Sequence, residues 1–260
     1  MPIIGIDIKQ CNLCKSCIKE CPLGNFSMHN EERRIIFDMS QGCILCGHCI
    51  AVCPEQAIKY RDMNGNIYGF EESNVSIPNK ALDKLILSKR SIRQYKNKKI
   101  PKDIIEKVIN VMSFAPTAMN KRSLKCLVIS DEVKINELID SIIDTIEEVE
   151  ERNMYKKKRE NGIDPFFYKA PHIIILHSDN HWDSTNATIA ITYAMLYAES
   201  LGLGSCWIGG VQIFLNENKK IKEKLLDIKD KIFGIMILGY PTVKYCRTPP
   251  RSPIKTKYIS

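Results

Sequence analysis

The sequence predicts an α+β chain in two parts, a small metal-bearing domain followed by a larger α+β domain. Three observations predict it. The first 60 residues carry a doubled run of closely spaced cysteines. The rest alternates helical apolar patterns with only three obvious strand-like runs and no regular β-α order. Between the two lies Asp62 to Lys80, rich in Asn, Gly, Glu and Ser and ending in Ile77-Pro78-Asn79, which reads as a linker. The boundaries that follow are 1–61, 62–80 and 81–260.

The cysteine run is Cys11, Cys14, Cys17, Cys21, Pro22, and it recurs 32 residues later as Cys43, Cys46, Cys49, Cys53, Pro54, with Leu13 repeated as Leu45 and Ile18 as Ile50. Three thiolates at this spacing wrap three corners of one iron-sulfur cube, and a fourth that precedes a proline points to the other cube in the bacterial two-cluster pattern. Cys11, Cys14, Cys17 and Cys53 are therefore assigned to one 4Fe-4S cluster, and Cys43, Cys46, Cys49 and Cys21 to the other. A disulfide framework needs an oxidising compartment, and Met1 to Ile8 shows no export signal. Structural zinc has no use for the third cysteine of each run. Over about 60 positions the residues resemble a bacterial two-cluster ferredoxin.

Composition agrees with a soluble protein: 44% of residues are hydrophobic and 26% charged, and no uncharged apolar run has membrane-spanning length. The expectation is a reduced cytoplasmic setting with no membrane partner. The net charge of +8 is uneven: residues 1–80 carry eight basic and nine acidic side chains, the remainder thirty and twenty-one. A basic second part suits an anionic cofactor or an acidic electron carrier. Nucleic acid is the rival partner, with Lys156 to Arg159 as its best patch. That run follows Glu147, Glu148, Glu150 and Glu151 and reads as a solvated helix end, so no nucleic acid is expected.

Along the chain, a short strand is expected near Ala57 to Tyr60. Leu82, Leu85 and Ile86 have helical spacing, as do Ile104 to Met112 after Pro101. Leu124 to Ser130 reads as a buried strand, with Asp131 capping a helix whose apolar face runs from Ile135 through Ile146 to Val149. His172 to Leu176 is a second strand. A helix from about Ser184 to Leu201 is apolar on most sides, so it is buried in a core or against another subunit. Gly202 to Gly210 reads as a glycine-rich turn, Leu215 to Leu226 as one helix, and Ile232 to Leu238 as a third strand.

Four segments of the second part place cations or backbone amides in loops beside element ends: Lys89-Arg90-Ser91-Ile92-Arg93, Ala115 to Asn120, Gly202 to Gly210, and Gly239-Tyr240-Pro241 followed by Arg247 and Arg251. The third is not G-x-G-x-x-G, so a dinucleotide-binding Rossmann site is unsupported. In this order the segments resemble the nitroreductase family of FMN enzymes over roughly residues 84 to 255. That resemblance implies that Lys89, Arg90, Ser91 and Arg93 hold the phosphate, ribityl chain and polar ring edge, with Lys89 standing where the family usually has Arg. It implies that Pro116, Thr117 and Asn120 are lent to the flavin by a second subunit, with Arg122, Ser123 and Leu124 replacing the usual Gln, Pro and Trp. Trp207, Ile208, Gly209 and Gly210 match the loop against the ring, and Arg251 the late phosphate-binding arginine. A homodimer with FMN at its interface is also implied.

No catalytic dyad is expected, because the cofactor carries the chemistry. Cys126 and Cys206 read as core thiols, Cys246 as a loop thiol, and His172, His177 and His181 as structural. Phe166-Phe167-Tyr168 either lines a substrate pocket or belongs to the core. The leading reading is an enzyme that passes electrons from an external ferredoxin or other low-potential donor through the clusters to FMN and on to a nitroaromatic, quinone or similar electron-poor acceptor. Its rival is a non-catalytic carrier or redox sensor serving a protein partner.

Overall fold

The structure, a computed structural model, describes residues 3–40, 42–61, 67, 69 and 77–259. Most of the expected linker lies outside the described residues. The chain divides into two compact units: one holds the residues before 76 together with Met119–Lys121, and the other holds the rest.

In the first unit β1 (Ile3–Ile6) pairs antiparallel with β4 (Ile58–Tyr60), and β2 (Phe26–His29) pairs with β3 (Arg34–Phe37). Two short helices, α1 (Ser16–Glu20) and α2 (His48–Ala51), each begin one residue before the third cysteine of a run. The 32-residue repeat extends to the backbone. Leu13 and Leu45, Lys15 and Gly47, and Gly24 and Gln56 all have left-handed φ, between 51° and 72°. The apolar core is small: Ile3, Phe26, Ile35 and Ile58 are buried beside Cys17 and Cys49.

The second unit contains α3 (Asn79–Ser88), α4 (Lys102–Asn110), β5 (Lys125–Ile129), α5 (Glu132–Thr145), α6 (Val149–Glu160), β6 (His172–Ser178), α7 (Asp183–Ser200), β7 (Gly204–Trp207), α8 (Gly209–Glu217), α9 (Lys219–Leu226) and β8 (Lys231–Gly239). Its strands form one antiparallel sheet in the order β5-β6-β8-β7. The α+β expectation holds. Both central strands are buried on both faces, which explains their nearly unbroken apolar runs. Alternation divides them cleanly: Ile173, Ile175, Ile235 and Ile237 face the core shared with α5, α8 and α9. Ile174, Leu176, Met236 and Leu238 face the core shared with α4 and α7.

Three local expectations are corrected. The amphipathic helix does not reach Val149. It ends at Thr145, Ile146 turns extended, and the Arg152 guanidinium donates to the Ile146 carbonyl at 3.0 Å, fixing a corner before α6. The glycine-rich stretch is not all turn, because Gly204 to Trp207 is the edge strand β7. Its first residue is glycine for a reason of space: a Cβ there would come within 2.8 Å of the Ile92 side chain. Leu215 to Leu226 is two helices broken at Asn218, whose side chain donates back to the Phe214 carbonyl at 2.9 Å.

Asp131 caps α5 as expected, accepting the Val133 and Lys134 amides. The Lys156 to Arg159 run is the last turn of α6. Lys156 pairs with Asp144 at 2.9 Å, and Arg159 reaches Asp140 and Asn136. No helix among the described residues is long and apolar enough to cross a membrane.

Candidate cluster pair and cofactor cavity

The eight cysteines of the doubled run gather around two separate cavities of the first unit, four at each. Cys11, Cys14, Cys17 and Cys53 line one. Cys21, Cys43, Cys46 and Cys49 line the other. Each cavity thus takes three thiols from one run and the fourth from the other. Helix α1 or α2 buries the third cysteine, and the proline after the fourth turns the chain away.

The donor set suits a cube. The Cys21 sulfur accepts the Asn25 amide at 3.4 Å, and the Cys53 sulfur accepts the Ala57 amide at 3.3 Å, again 32 residues apart. Burial first, then the neighbouring Cys46, Cys21 and Cys43 thiols, pushes the Cys49 thiol up to about 11. Four thiols gathered this closely repel as anions unless a cation lies among them. Among the described residues, no three His, Cys, Asp or Glu side chains converge tightly enough for a single metal ion.

The second unit holds a cavity of about 760 Å³ beside the start of α8. Arg93, Trp207, Ile208, Gly209 and Gly210 line it, so the first and third of the four loop segments meet here. The meeting follows from the sheet edge. Segment 89–96 runs beside β7 and the end of β8: the Ile92 amide donates to the Ser205 carbonyl at 3.1 Å, and the Lys96 amide to the Tyr240 carbonyl at 2.8 Å. Lys89 Nζ also reaches the Ser205 carbonyl at 3.2 Å, and burial holds this lysine below its ordinary range. A Cβ built on Gly210 would meet no protein atom within 4 Å, so its backbone is open to a flat ligand.

The opposite wall comes from parts that sequence reasoning did not join to the site. The α5–α6 corner contributes Ile142, Ile146 and Glu147, and the loop before β6 contributes Phe166 and Tyr168. The aromatic run divides, since Phe167 is fully buried in the core. Asp164 arranges it. This buried carboxylate accepts the amides of Phe166, Phe167 and Lys169 at 3.0, 2.9 and 2.9 Å. The signal was an Asp-Pro step before an aromatic run, which marks a side-chain-organised turn.

The remaining expected residues do not line this cavity. Pro116 and Thr117 lie on the far side of the second unit, where Thr117 and exposed Cys126 border a smaller cavity of about 230 Å³. Cys126 is therefore not a core thiol, whereas Cys206 is buried as expected. The Pro116 loop is held through Asp183 at the start of α7. Asp183 accepts from Ser123 at 2.7 Å and from Asn186 at 2.7 Å, and Asn186 accepts the Ala118 amide at 3.2 Å. Asn120 has a left-handed φ of 51° and belongs to the residues grouped with the first unit. Arg251 is exposed in the C-terminal segment, outside any helix or strand.

The histidines do not converge. His172 is buried between the Ile100 amide and Ser130, His177 pairs with Asp230 at 3.0 Å, and the His181 ring packs at a tilt against Trp182.

Residues 86–240 match the Nitroreductase family, and residues 10–58 match the 4Fe-4S dicluster domain. The chain is similar to a "Putative NADH dehydrogenase/NAD(P)H nitroreductase" of Methanothermobacter thermautotrophicus, 24% identical over 60% of this chain and 75% of the relative. A protein of the same description from Archaeoglobus fulgidus is 27% identical over 61% of this chain and 84% of its own length. In fold it resembles a nitroreductase with bound FMN from Desulfitobacterium hafniense, with TM-score 0.56, 20% identity, and coverage of 71% of this chain and 100% of the other. With its sheet, its cavity and these matches in agreement, the chain belongs to the Nitroreductase family and carries a 4Fe-4S dicluster domain ahead of the family domain.

Proposed function

We propose that the chain is an FMN-dependent oxidoreductase in which a low-potential one-electron donor, such as an external ferredoxin, supplies electrons through two 4Fe-4S clusters to FMN, for delivery to a nitroaromatic, quinone or similar electron-poor acceptor. The observation that carries this reading is that one chain holds two four-thiol cavities and a 760 Å³ cavity edged by Arg93 and the Trp207–Gly210 loop. FMN, when bound, exchanges single electrons with a cluster and an electron pair with an organic acceptor.

The residues divide the binding work. Cys11, Cys14, Cys17 and Cys53 hold one cluster and Cys21, Cys43, Cys46 and Cys49 the other. Lys89, Arg90 and Ser91 supply charge and a hydroxyl for the phosphate and ribityl chain. Arg93 neutralises negative charge at the ring edge, and the Gly209 and Gly210 backbone lies against the ring. Phe166 and Tyr168 cover the opposite side and exclude water. A second copy of the chain supplies Pro116, Thr117 and Asn120, and Arg251 reaches the phosphate from the C-terminal segment.

Two relatives described as NAD(P)H nitroreductases make nicotinamide the rival donor. Purification without oxygen tests the composition. We expect about eight irons, matching acid-labile sulfide and one FMN per chain. Zinc without sulfide, or a chain that holds no flavin, would overturn the reading. Turnover of small acceptors separates an enzyme from a carrier.

A further inference from the structure

The two cluster cavities are built on one repeat but differ in their walls. The one lined by Cys21, Cys43, Cys46 and Cys49 is closed by Ile3, Phe26, Phe37 and Leu45 together with buried Asn25, and among the described residues no charged one lines it. The one lined by Cys11, Cys14, Cys17 and Cys53 has Asn12 and Lys15 in its wall, and its Cys14 is exposed. Lys15 occupies the position that Gly47 holds in the second repeat, and both are left-handed, with φ of 62° and 72°. Glycine takes that conformation without strain and lysine does not. The chain thus tolerates a strained lysine where its own repeat shows that glycine suffices. The reverse exchange, Gly24 against Gln56, adds no charge. Among the described residues Lys15 makes no ion pair, while Glu55, the nearby opposing charge, is held by the Asn12 amide at 3.0 Å.

Resting on the reading that each four-thiol set binds a cube, we propose that Lys15 sets the order of the two clusters, its charge raising the reduction potential of the Cys11/Cys14/Cys17/Cys53 cluster above that of the counterpart whose wall carries no charged residue. Net charge and solvent exposure are the levers that set such potentials, and a cation stabilises the reduced cube by carrying opposite sign to the added electron. A single electron that reaches the pair leaves the Cys21/Cys43/Cys46/Cys49 cluster oxidised and resides on the cluster beside Lys15. The pair therefore has an equilibrium order, in which the cluster beside Lys15 takes the first electron.

The test is an equilibrium redox titration of the full-length, anaerobically reconstituted protein, followed by electron paramagnetic resonance. Cys11→Ala/Cys53→Ala and Cys21→Ala/Cys49→Ala variants identify the two signals. Lys15→Gln removes the charge and keeps the strained backbone; Lys15→Gly removes both; Glu55→Gln removes the opposing charge. We expect both Lys15 variants to shift the partition of the first electron about three- to tenfold toward the Cys21/Cys43/Cys46/Cys49 cluster, about 59 mV at tenfold. Glu55→Gln should shift it the other way. Lys15→Gly should also raise the thermal midpoint, which a purely structural role for the lysine would not combine with a lowered potential. Two clusters whose partition is unchanged in Lys15→Gln would overturn the proposal. Protein without iron and sulfide would instead overturn the cluster reading on which it rests.

Discussion

The guanidinium of Arg93 lies over the ring of Tyr168, 5.7 Å from its centroid, and so joins the cationic segment at the sheet edge to the loop that closes the cavity. Tyr168 and Lys169 both have φ of 57°, a conformation two non-glycine residues keep only when surroundings hold it. Asp164 supplies that hold. Asp164→Ala leaves three amides without their acceptor, and we expect a loss of about 3 kcal/mol in stability by urea unfolding. Flavin retention should fall with it, measured by absorbance after dialysis, and Asp164→Asn should retain part of both.

The crossed thiol sets make a prediction that single substitutions do not. Cys11→Ala/Cys53→Ala strikes one cavity twice and should leave a protein with about four irons. Cys11→Ala/Cys21→Ala strikes both cavities and should leave neither cluster intact. If each run ligated its own cube, the two outcomes would be exchanged, and iron and sulfide analysis tells them apart.

His172 predicts a pH dependence of stability. Its Nε2 accepts the Ile100 amide at 2.9 Å, so the ring is neutral with the proton on Nδ1, which donates to Ser130 at 2.7 Å. Burial first, then Lys99, lowers its pKa to about 4 from 6.5. The folded state therefore binds this proton less readily than the unfolded state. The contribution is fully present above about pH 6.5 and is lost as pH falls toward 4, reaching about 3 kcal/mol. Denaturant midpoints of the wild type and His172→Gln across that range should converge as the pH falls. A constant difference would contradict this account.

Much of the chain was legible because its signals are local. The cysteine spacing is a pattern of covalent reach, and the crossed pairing of thiols came from its resemblance to the bacterial two-cluster pattern. The runs at Ile173 to Leu176 and Ile232 to Leu238 announced central strands because both faces of each are buried. The first unit's hairpin of Phe26–His29 and Arg34–Phe37 went unread, since strands of four residues carry too little periodicity. The cavity's far wall was hidden for another reason. Apolar spacing continues past Thr145, so the sequence reads as one helix, while the break at Ile146 is fixed by the Arg152 side chain donating back to its carbonyl, a contact that apolar periodicity does not register. Asp164 likewise acts through backbone amides, which leave no mark on the residues that donate them.

The central claim is that the clusters feed the flavin, and rapid-mixing reduction tests it most directly. The intact protein and a Cys11→Ala/Cys49→Ala variant, which loses a ligand from each set, are mixed without oxygen with reduced ferredoxin and, separately, with NADH, while flavin bleaching is followed. The account predicts that ferredoxin reduces the flavin of the intact protein at least tenfold faster than that of the variant, and that NADH shows no such dependence on the clusters. Equal flavin reduction by ferredoxin in both proteins would contradict it.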